Sequence, residues 1–176
     1  PLSEYVPSLR RLSVPAGGVA GYARGHLQPT LTTPTVRIGA LICFESIFSH
    51  HLRAYVNPAQ NSRPVDLLVT VAQDGWWGPS AGYRQHLAFS QLHTIAVRRA
   101  MAFVTVTGHT GWITAQGTAR ALTGWMETAT RSVALPHHTR LSPYVRWGDW
   151  ISALALVATG AFALAGIVSL TRARWP

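Results

Sequence analysis

A lone cysteine is the residue of this chain best suited to covalent chemistry. Residues 36–43 (VRIGALIC) form an apolar run that predicts a buried strand ending at Cys43, and a helix is predicted to follow. A thiol at that junction lies near the positive end of the helix dipole, which favours the nucleophilic thiolate. Most lone cysteines are inert packing residues, and this alternative stays open from the cysteine segment alone.

Two acids accompany the cysteine in the first part of the chain. Glu45 follows Cys43 by two residues, where a carboxylate could orient a base or bind a backbone amide. An ordinary acid in the first turn of a helix is the alternative for Glu45. Glu4 is the only other acid before residue 60. We predict that Glu4 and Glu45 support the thiol chemistry.

An aromatic loop follows the next predicted strand. Residues 66–72 (DLLVTVA) predict a second buried strand, and residues 73–78 (QDGWWG) come directly after it. Functional loops of α/β sheets lie at the carboxyl ends of strands. We predict that Trp76, Trp77 and Phe44 contact an acyl-chain substrate, with plain loop packing as an equal alternative for the two tryptophans.

Short apolar runs alternate with helical patterns along most of the chain, which predicts an α/β fold. Residues 1–34 are rich in Pro, Gly and Ser and predict a long loop or lid. The predicted strands are 36–43, 66–72, 102–107 and 130–135, with a hairpin of 112–115 and 119–123, and the predicted helices are 46–55 and 85–100.

The C-terminal part predicts a membrane span. Residues 151–170 are uncharged and are about as long as the hydrocarbon core of a bilayer requires. Tryptophans precede and follow the run, as interfacial anchors would. A buried helix of a soluble protein is the alternative. We expect residues 1–140 to form a catalytic part, 141–150 a juxtamembrane segment and 171–176 a cytoplasmic tail, because Arg172 and Arg174 follow the span.

Composition narrows the classes of partner. The net charge is +9, but the arginines are scattered and no nucleic-acid motif is present, so a basic surface beside an anionic membrane is favoured. The histidine pairs at 50–51 and 137–138 lack metal-ligand spacing, and we predict no metal and no cofactor. His86 and His109 could be polar groups near a site, although core or surface positions are the more ordinary expectation.

Five segments occur in an order typical of a known family. They are ALICFES at 40–46, VAQDGWWG at 71–78, YRQHLAFSQLHTIAVRRA at 83–100, GHTG at 108–111 and LSPYVRWGDW at 141–150, and PLSEYVP at 1–7 matches the stretch after that family's catalytic lysine. The chain resembles the C-terminal portion of the apolipoprotein N-acyltransferase family, a membrane-bound branch of the nitrilase (carbon–nitrogen hydrolase) superfamily. The resemblance implies part of an α-β-β-α sandwich followed by one transmembrane helix.

The resemblance also implies a mechanism. The family uses a Glu-Lys-Cys triad, in which Glu is the base, Lys stabilises the oxyanion and Cys carries the acyl group as a thioester. Cys43 matches the nucleophile, whereas Glu4 and Glu45 match supporting acids. The chain has no lysine, so the Lys and the base Glu are expected upstream. Phe44 stands where Tyr is usual and Gln73 where Asn is usual.

The activity implied is transfer of a fatty acyl group from a phospholipid to the amine of a diacylglyceryl-cysteine on a lipoprotein. The membrane is then a further partner, and the catalytic part is expected on the extracytoplasmic side of the bacterial inner membrane. Two alternatives stay open: a membrane-tethered amidase or nitrilase that acts on a small amide, and a catalytically inactive truncated relic. The missing lysine predicts that these 176 residues alone are inactive.

Overall fold

The computed structural model describes residues 30–130, 132–136 and 138–173. Six strands form one mixed sheet in the order of the chain. They are β1 (Thr30–Thr32), β2 (Arg37–Ile42), β3 (Leu67–Ala72), β4 (Met101–Thr105), β5 (Gly111–Ile113) and β6 (Ala119–Arg120). β2, β3 and β4 are parallel, whereas the pairs at either side of them are antiparallel. The carboxyl ends of the three central strands therefore meet at one edge of the sheet.

Two helices connect the parallel strands, since a parallel pair needs a long crossover. α1 (Ser49–Val56) lies between β2 and β3, and α2 (Ala81–Val97) lies between β3 and β4. Each is preceded by a short 3-10 helix at the carboxyl end of a strand. We call these the cysteine turn (Cys43–Ile47) and the tryptophan turn (Asp74–Trp77).

The helices cover one face of the sheet. Alternate residues of the central strands, such as Leu41, Leu68 and Phe103, are buried in a cluster with Leu52 of α1 and Leu87 of α2. The residues that alternate with them along each strand lie on the opposite face of the sheet and are more exposed to solvent, because successive side chains of a strand point to opposite faces. On that face Ile42, Val71 and Val104 are exposed in the described part of the chain.

The α/β class is confirmed, and several boundaries differ from those predicted. The predicted helix 46–55 is divided, because Phe48 has an extended backbone between the cysteine turn and α1. The second helix begins at Ala81 rather than 85, where Ser80 caps it by accepting from the Gly82 amide. The predicted hairpin forms, with Trp112 opposite Arg120.

One predicted strand is wrong and one strand was missed. Residues 130 and 132–135 have no strand structure, and most of them are exposed. Their β-branched composition favours a strand only when a neighbouring strand is available for pairing. β1 is a three-residue edge strand held by pairing with Arg37 to Gly39, a contact that no local pattern announces. The predicted loop 1–34 lies mostly outside the described residues.

A short helix fixes the start of the C-terminal helix. α3 (Pro143–Trp147) buries Val145, and the Arg53 Nε of α1 donates to the carbonyls of Tyr144 and Val145 at 3.1 Å each. The Tyr144 hydroxyl donates to Ser49 Oγ at 2.8 Å, close in sequence to the cysteine turn. α4 (Trp150–Ala173) then extends with its described side chains exposed, and it is long and apolar enough to cross a membrane over Trp150–Leu170.

Candidate functional site

The cysteine lies where the topology concentrates functional loops. Cys43 follows β2 directly, Asp74 begins the turn after β3, and Gly108 lies in the loop after β4. These three strand ends are neighbours because the strands are parallel and adjacent in the sheet. Cys43 is a free, half-buried thiol at this edge. The position fits a nucleophile that a substrate approaches from one side.

The backbone at Cys43 is strained. Its φ is +49°. Among the described residues other than glycine, only Arg98, Ala121 and Met126 also have a positive φ. The left-handed conformation costs an L-residue about 1–2 kcal/mol. Strain of this kind persists only where the surroundings enforce it, and it clusters at functional sites.

A chain of buried polar side chains lies beneath the cysteine turn. Asp74 Oδ1 is 2.9 Å from His86 Nδ1. His86 Nε2 lies 2.8 Å from Ser46 Oγ and 3.2 Å from the Cys43 carbonyl oxygen. The Ser46 hydroxyl also donates to the Cys43 carbonyl at 3.0 Å, and the Ser90 hydroxyl donates to Ser46 Oγ at 3.3 Å. The tryptophan turn, the cysteine turn and α2 are thereby joined through polar contacts.

Glu45 is committed to the backbone of the cysteine turn. Its carboxylate accepts from the Ile42 amide at 2.8 Å, and the side chain is exposed. Burial, and secondly the charge of Glu45, raise the pKa of Tyr55 to about 12. The Tyr55 hydroxyl therefore stays protonated and donates to the Ala40 carbonyl at 2.7 Å. Glu45 thus stabilises the strand-to-turn junction that presents Cys43.

An apolar cavity of about 200 Å³ adjoins the turn. Phe44, Ile47, Trp77 and Phe89 contribute most of its apolar wall. Trp77 is half-buried and lies edge-on to the His86 ring, with centroids 5.7 Å apart. Trp76 has 85% of its surface exposed and is not among the residues that line the cavity.

The loops after β3 and β4 are tied together. Gln73 Oε1 accepts from the Gly75 amide and from the Thr107 hydroxyl, both at 3.1 Å. Gln73 therefore makes a polar loop contact despite standing where the resembled family has Asn. His109 lies in the second of these loops, where its ring packs against Tyr83 at a tilt of 58° and its Nδ1 donates to the Thr123 carbonyl.

Of the predicted site residues, the structure places Cys43, Phe44 and Trp77 at one end of the sheet. Glu45 adjoins them but binds a backbone amide, and Glu4 lies outside the described residues. The network of Asp74, His86 and Ser46 was missed as a unit. The available signal was the position of Asp74 directly after a strand. In the described ranges, no group of three His, Cys, Asp or Glu side chains could hold a metal ion.

The geometry defines a class before any relative is considered. The chain is an α/β protein that presents a cysteine with a strained backbone at the carboxyl edge of parallel strands, next in sequence to Phe44, which lines an apolar cavity. No family model matches the chain. Parts of it resemble a CN-hydrolase superfamily protein from Xanthomonas campestris, with a TM-score of 0.48 and 20% identity over 58% of this chain and 41% of that one. A carbon–nitrogen hydrolase from Helicobacter pylori gives a TM-score of 0.49 and 14% identity, covering 61% and 43% of the two chains.

Sequence relatives name the particular family. Apolipoprotein N-acyltransferase of Chlorobaculum tepidum is 32% identical over 173 residues, which are 96% of this chain and 32% of that protein. The protein of that name from Bordetella bronchiseptica is 34% identical, covering 89% of this chain and 29% of its own length. The chain is a relative of the apolipoprotein N-acyltransferases, which confirms the resemblance drawn from its motifs. It spans about a third of the length of the curated relatives that it matches.

Proposed function

We propose that this chain carries the nucleophile of an enzyme that N-acylates lipoproteins. The observation that carries the proposal is Cys43, whose strained backbone follows a central strand and precedes Phe44 of the cavity wall, in a relative of the apolipoprotein N-acyltransferases. The cavity wall of Phe44 and Trp77 suits an acyl chain better than a small polar amide, which disfavours a tethered amidase.

The reaction has two transfers. The Cys43 thiolate attacks the ester carbonyl of a phospholipid; a carbon–sulfur bond forms, the ester carbon–oxygen bond breaks, and the lysophospholipid oxygen takes up a proton. The amine of a diacylglyceryl-cysteine then attacks the thioester. A carbon–nitrogen bond forms, the thiolate is released and the amine gives up a proton. A covalent intermediate divides one hard transfer into two easier ones.

The cation that stabilises the oxyanion must come from outside these 176 residues if it is a lysine, since the sequence contains none. The base glutamate belongs to the same missing set, while Glu4 and Glu45 act as supporting acids. Losing one oxyanion stabiliser typically lowers the rate by about a hundredfold or more. The isolated chain is therefore inactive, and the protein expressed from its complete coding sequence is active.

The helix Trp150–Ala173 serves as a membrane anchor in this proposal. Residues 151–170 span the bilayer, residues 1–140 form the catalytic part outside the cytoplasm, 141–150 lie at the membrane surface and 171–176 form a cytoplasmic tail. Arg172 and Arg174 favour retention of the tail in the cytoplasm. Labelling of Cys43 in intact cells by a membrane-impermeant thiol reagent tests the orientation, and labelling only after permeabilisation contradicts it.

The decisive experiment looks for the thioester. The complete protein is incubated with phospholipid vesicles, and the peptide that contains Cys43 is analysed by mass spectrometry before and after hydroxylamine. A hydroxylamine-labile fatty acyl group on Cys43, absent from Cys43→Ala, is expected, and a lipoprotein peptide should then discharge it. Turnover of a small amide without lipid acylation would instead support the amidase. Inactivity of the complete protein would support a relic.

A further inference from the structure

The three side chains beneath the cysteine turn have no part in the two transfers described above. Ser46 and Asp74 are fully buried, and His86 is 2% exposed. They come from the cysteine turn, the tryptophan turn and α2. Ser46 and His86 contact the carbonyl of Cys43, and Asp74 contacts His86. Burying polar groups is costly unless hydrogen bonds replace those to water, so an arrangement of this kind calls for an explanation.

The positions of the acceptors fix the direction of the hydrogen bonds. The Ser46 hydroxyl donates to the Cys43 carbonyl, so Ser46 Oγ and the carbonyl oxygen face His86 Nε2 as acceptors, at 2.8 and 3.2 Å, and Nε2 carries a hydrogen. Asp74 Oδ1 contacts the other ring nitrogen, Nδ1, at 2.9 Å. Asp74 therefore fixes the ring orientation. The carboxylate of Asp74 contacts the ring, and two aromatic side chains pack against it, Trp77 at a centroid distance of 5.7 Å and Phe103 at 5.1 Å.

We propose that His86, oriented by Asp74, is the positioning residue for the cysteine nucleophile. Its Nε2 lies 2.8 Å from Ser46 Oγ and 3.2 Å from the Cys43 carbonyl oxygen, and the Ser46 hydroxyl donates to that carbonyl. His86 and Ser46 together thereby hold the peptide after Cys43 in one orientation. Because φ of Cys43 is +49°, a conformation that the residue does not favour, releasing this carbonyl lets the backbone relax and turns the thiol away from its line of attack. The consequence for catalysis rests on the function proposed above.

Two amide substitutions separate positioning from packing. In His86→Gln the side-chain amide reaches the place of Nε2 and can still donate to the Cys43 carbonyl. In His86→Asn the amide reaches only the place of Nδ1, so the contact with Asp74 is kept and the contact with Cys43 is lost. His93→Asn is the matched control, because the His93 Nε2 of the same helix donates to the carbonyl of Ile47, in the same turn, at 2.8 Å.

The experiment uses the protein expressed from its complete coding sequence, in detergent micelles. The first measurement is the rate of Cys43 alkylation by iodoacetamide, followed by mass spectrometry of the peptide that contains it. The second is kcat and KM for acyl transfer from phospholipid, and the third is the thermal unfolding midpoint. A misplaced reacting group lowers rates by about a hundredfold, so we expect that loss in kcat for His86→Asn, with KM unchanged and alkylation slowed.

We expect His86→Gln to recover most of both rates, and His93→Asn to leave the alkylation rate unchanged. Equal rates in the Gln and Asn variants, or a wild-type alkylation rate in His86→Asn, would overturn the proposal. If His86→Asn does not fold, Asp74→Ala replaces it, because it removes the side chain that orients the His86 ring. A slowed alkylation in the folded variant supports positioning, and an unchanged rate contradicts it. Alkylation needs no lipid, so the positioning result stands even if the protein transfers no acyl group.

Discussion

Replacing Cys43 by glycine should make the protein more stable than replacing it by alanine. Both variants lack the thiol and should be inactive, so their comparison isolates the backbone. With φ at +49°, Cys43 occupies the left-handed region that glycine enters without a steric penalty and alanine does not. At ordinary helix or strand positions the alanine variant is expected to be the more stable of the two, so the order expected at Cys43 is the reverse.

The magnitude follows from two opposing terms. The left-handed conformation costs a residue with a Cβ about 1–2 kcal/mol, which glycine avoids. Glycine also makes the unfolded chain more flexible, which lowers stability by about 0.4–1 kcal/mol. The difference leaves Cys43→Gly more stable than Cys43→Ala by roughly 0.5–1 kcal/mol.

Urea unfolding of the complete protein in micelles, followed by tryptophan fluorescence, measures this difference. Arg98 is a positive control, because it is exposed, has φ of +53° and ends α2, so Arg98→Gly should likewise exceed Arg98→Ala. Ala88 is the opposite control: it is exposed in the interior of α2, where Ala88→Gly should cost about 1 kcal/mol. If Cys43→Gly is less stable than Cys43→Ala by an amount similar to that seen at Ala88, the strain argument is refuted.

Three further predictions test other parts of the molecule. In Gly82→Ala the new Cβ would lie 2.6 Å from Trp77 Cγ, so we expect a loss of about 1–3 kcal/mol in stability and a higher KM for phospholipid. Gly160→Ala is the control, because open space surrounds that position, and it should change neither the stability nor the KM. Burial lowers the pKa of His93 below its usual 6.5. The neutral ring therefore contributes fully to stability above pH 6.5, and this contribution is lost as the pH falls from 6.5 through the lower pKa of the folded state. Between about pH 7.5 and about pH 5.5 the wild type should lose more unfolding free energy than His93→Gln, and equal losses would contradict this. Arg53→Met removes the charged donor to the carbonyls of α3, so amide hydrogen exchange across Pro143–Trp147 should accelerate; unchanged exchange would show that the buried Val145 suffices to hold α3.

The sequence contained enough to predict the central part of the sheet. Each parallel strand is a short apolar run with a turn signal at its end, and such local patterns survive folding. The position of Cys43 after β2 followed from that pattern, as did the loop with Trp76 and Trp77 after β3. The start of the first helix did not, because the extended backbone at Phe48 depends on how the cysteine turn packs against α2.

The polar network under Cys43 could not be read from local pattern. Ser46 and His86 are 40 positions apart in the sequence, and their contact exists only once α2 crosses the sheet. His86 and His109 looked equivalent as isolated histidines, yet His86 lies in the network while His109 joins a loop to Thr123. The strand predicted at 130–135 failed for a related reason, since a strand depends on its neighbours as much as on its composition.

The energies explain why polar groups occupy a position where apolar ones would pack. The left-handed backbone of Cys43 costs about 1–2 kcal/mol. Two donors reach its carbonyl, from His86 and Ser46, and each such bond contributes about 0.5–1.5 kcal/mol. These two hydrogen bonds are therefore of the right size to offset the strain at Cys43, while Asp74 Oδ2 is buried without a hydrogen-bond partner. The buried Asp–His–Ser chain supports the proposal that Cys43 is a nucleophile held in place, because a purely structural core would be as stable with hydrophobic residues and an unstrained turn.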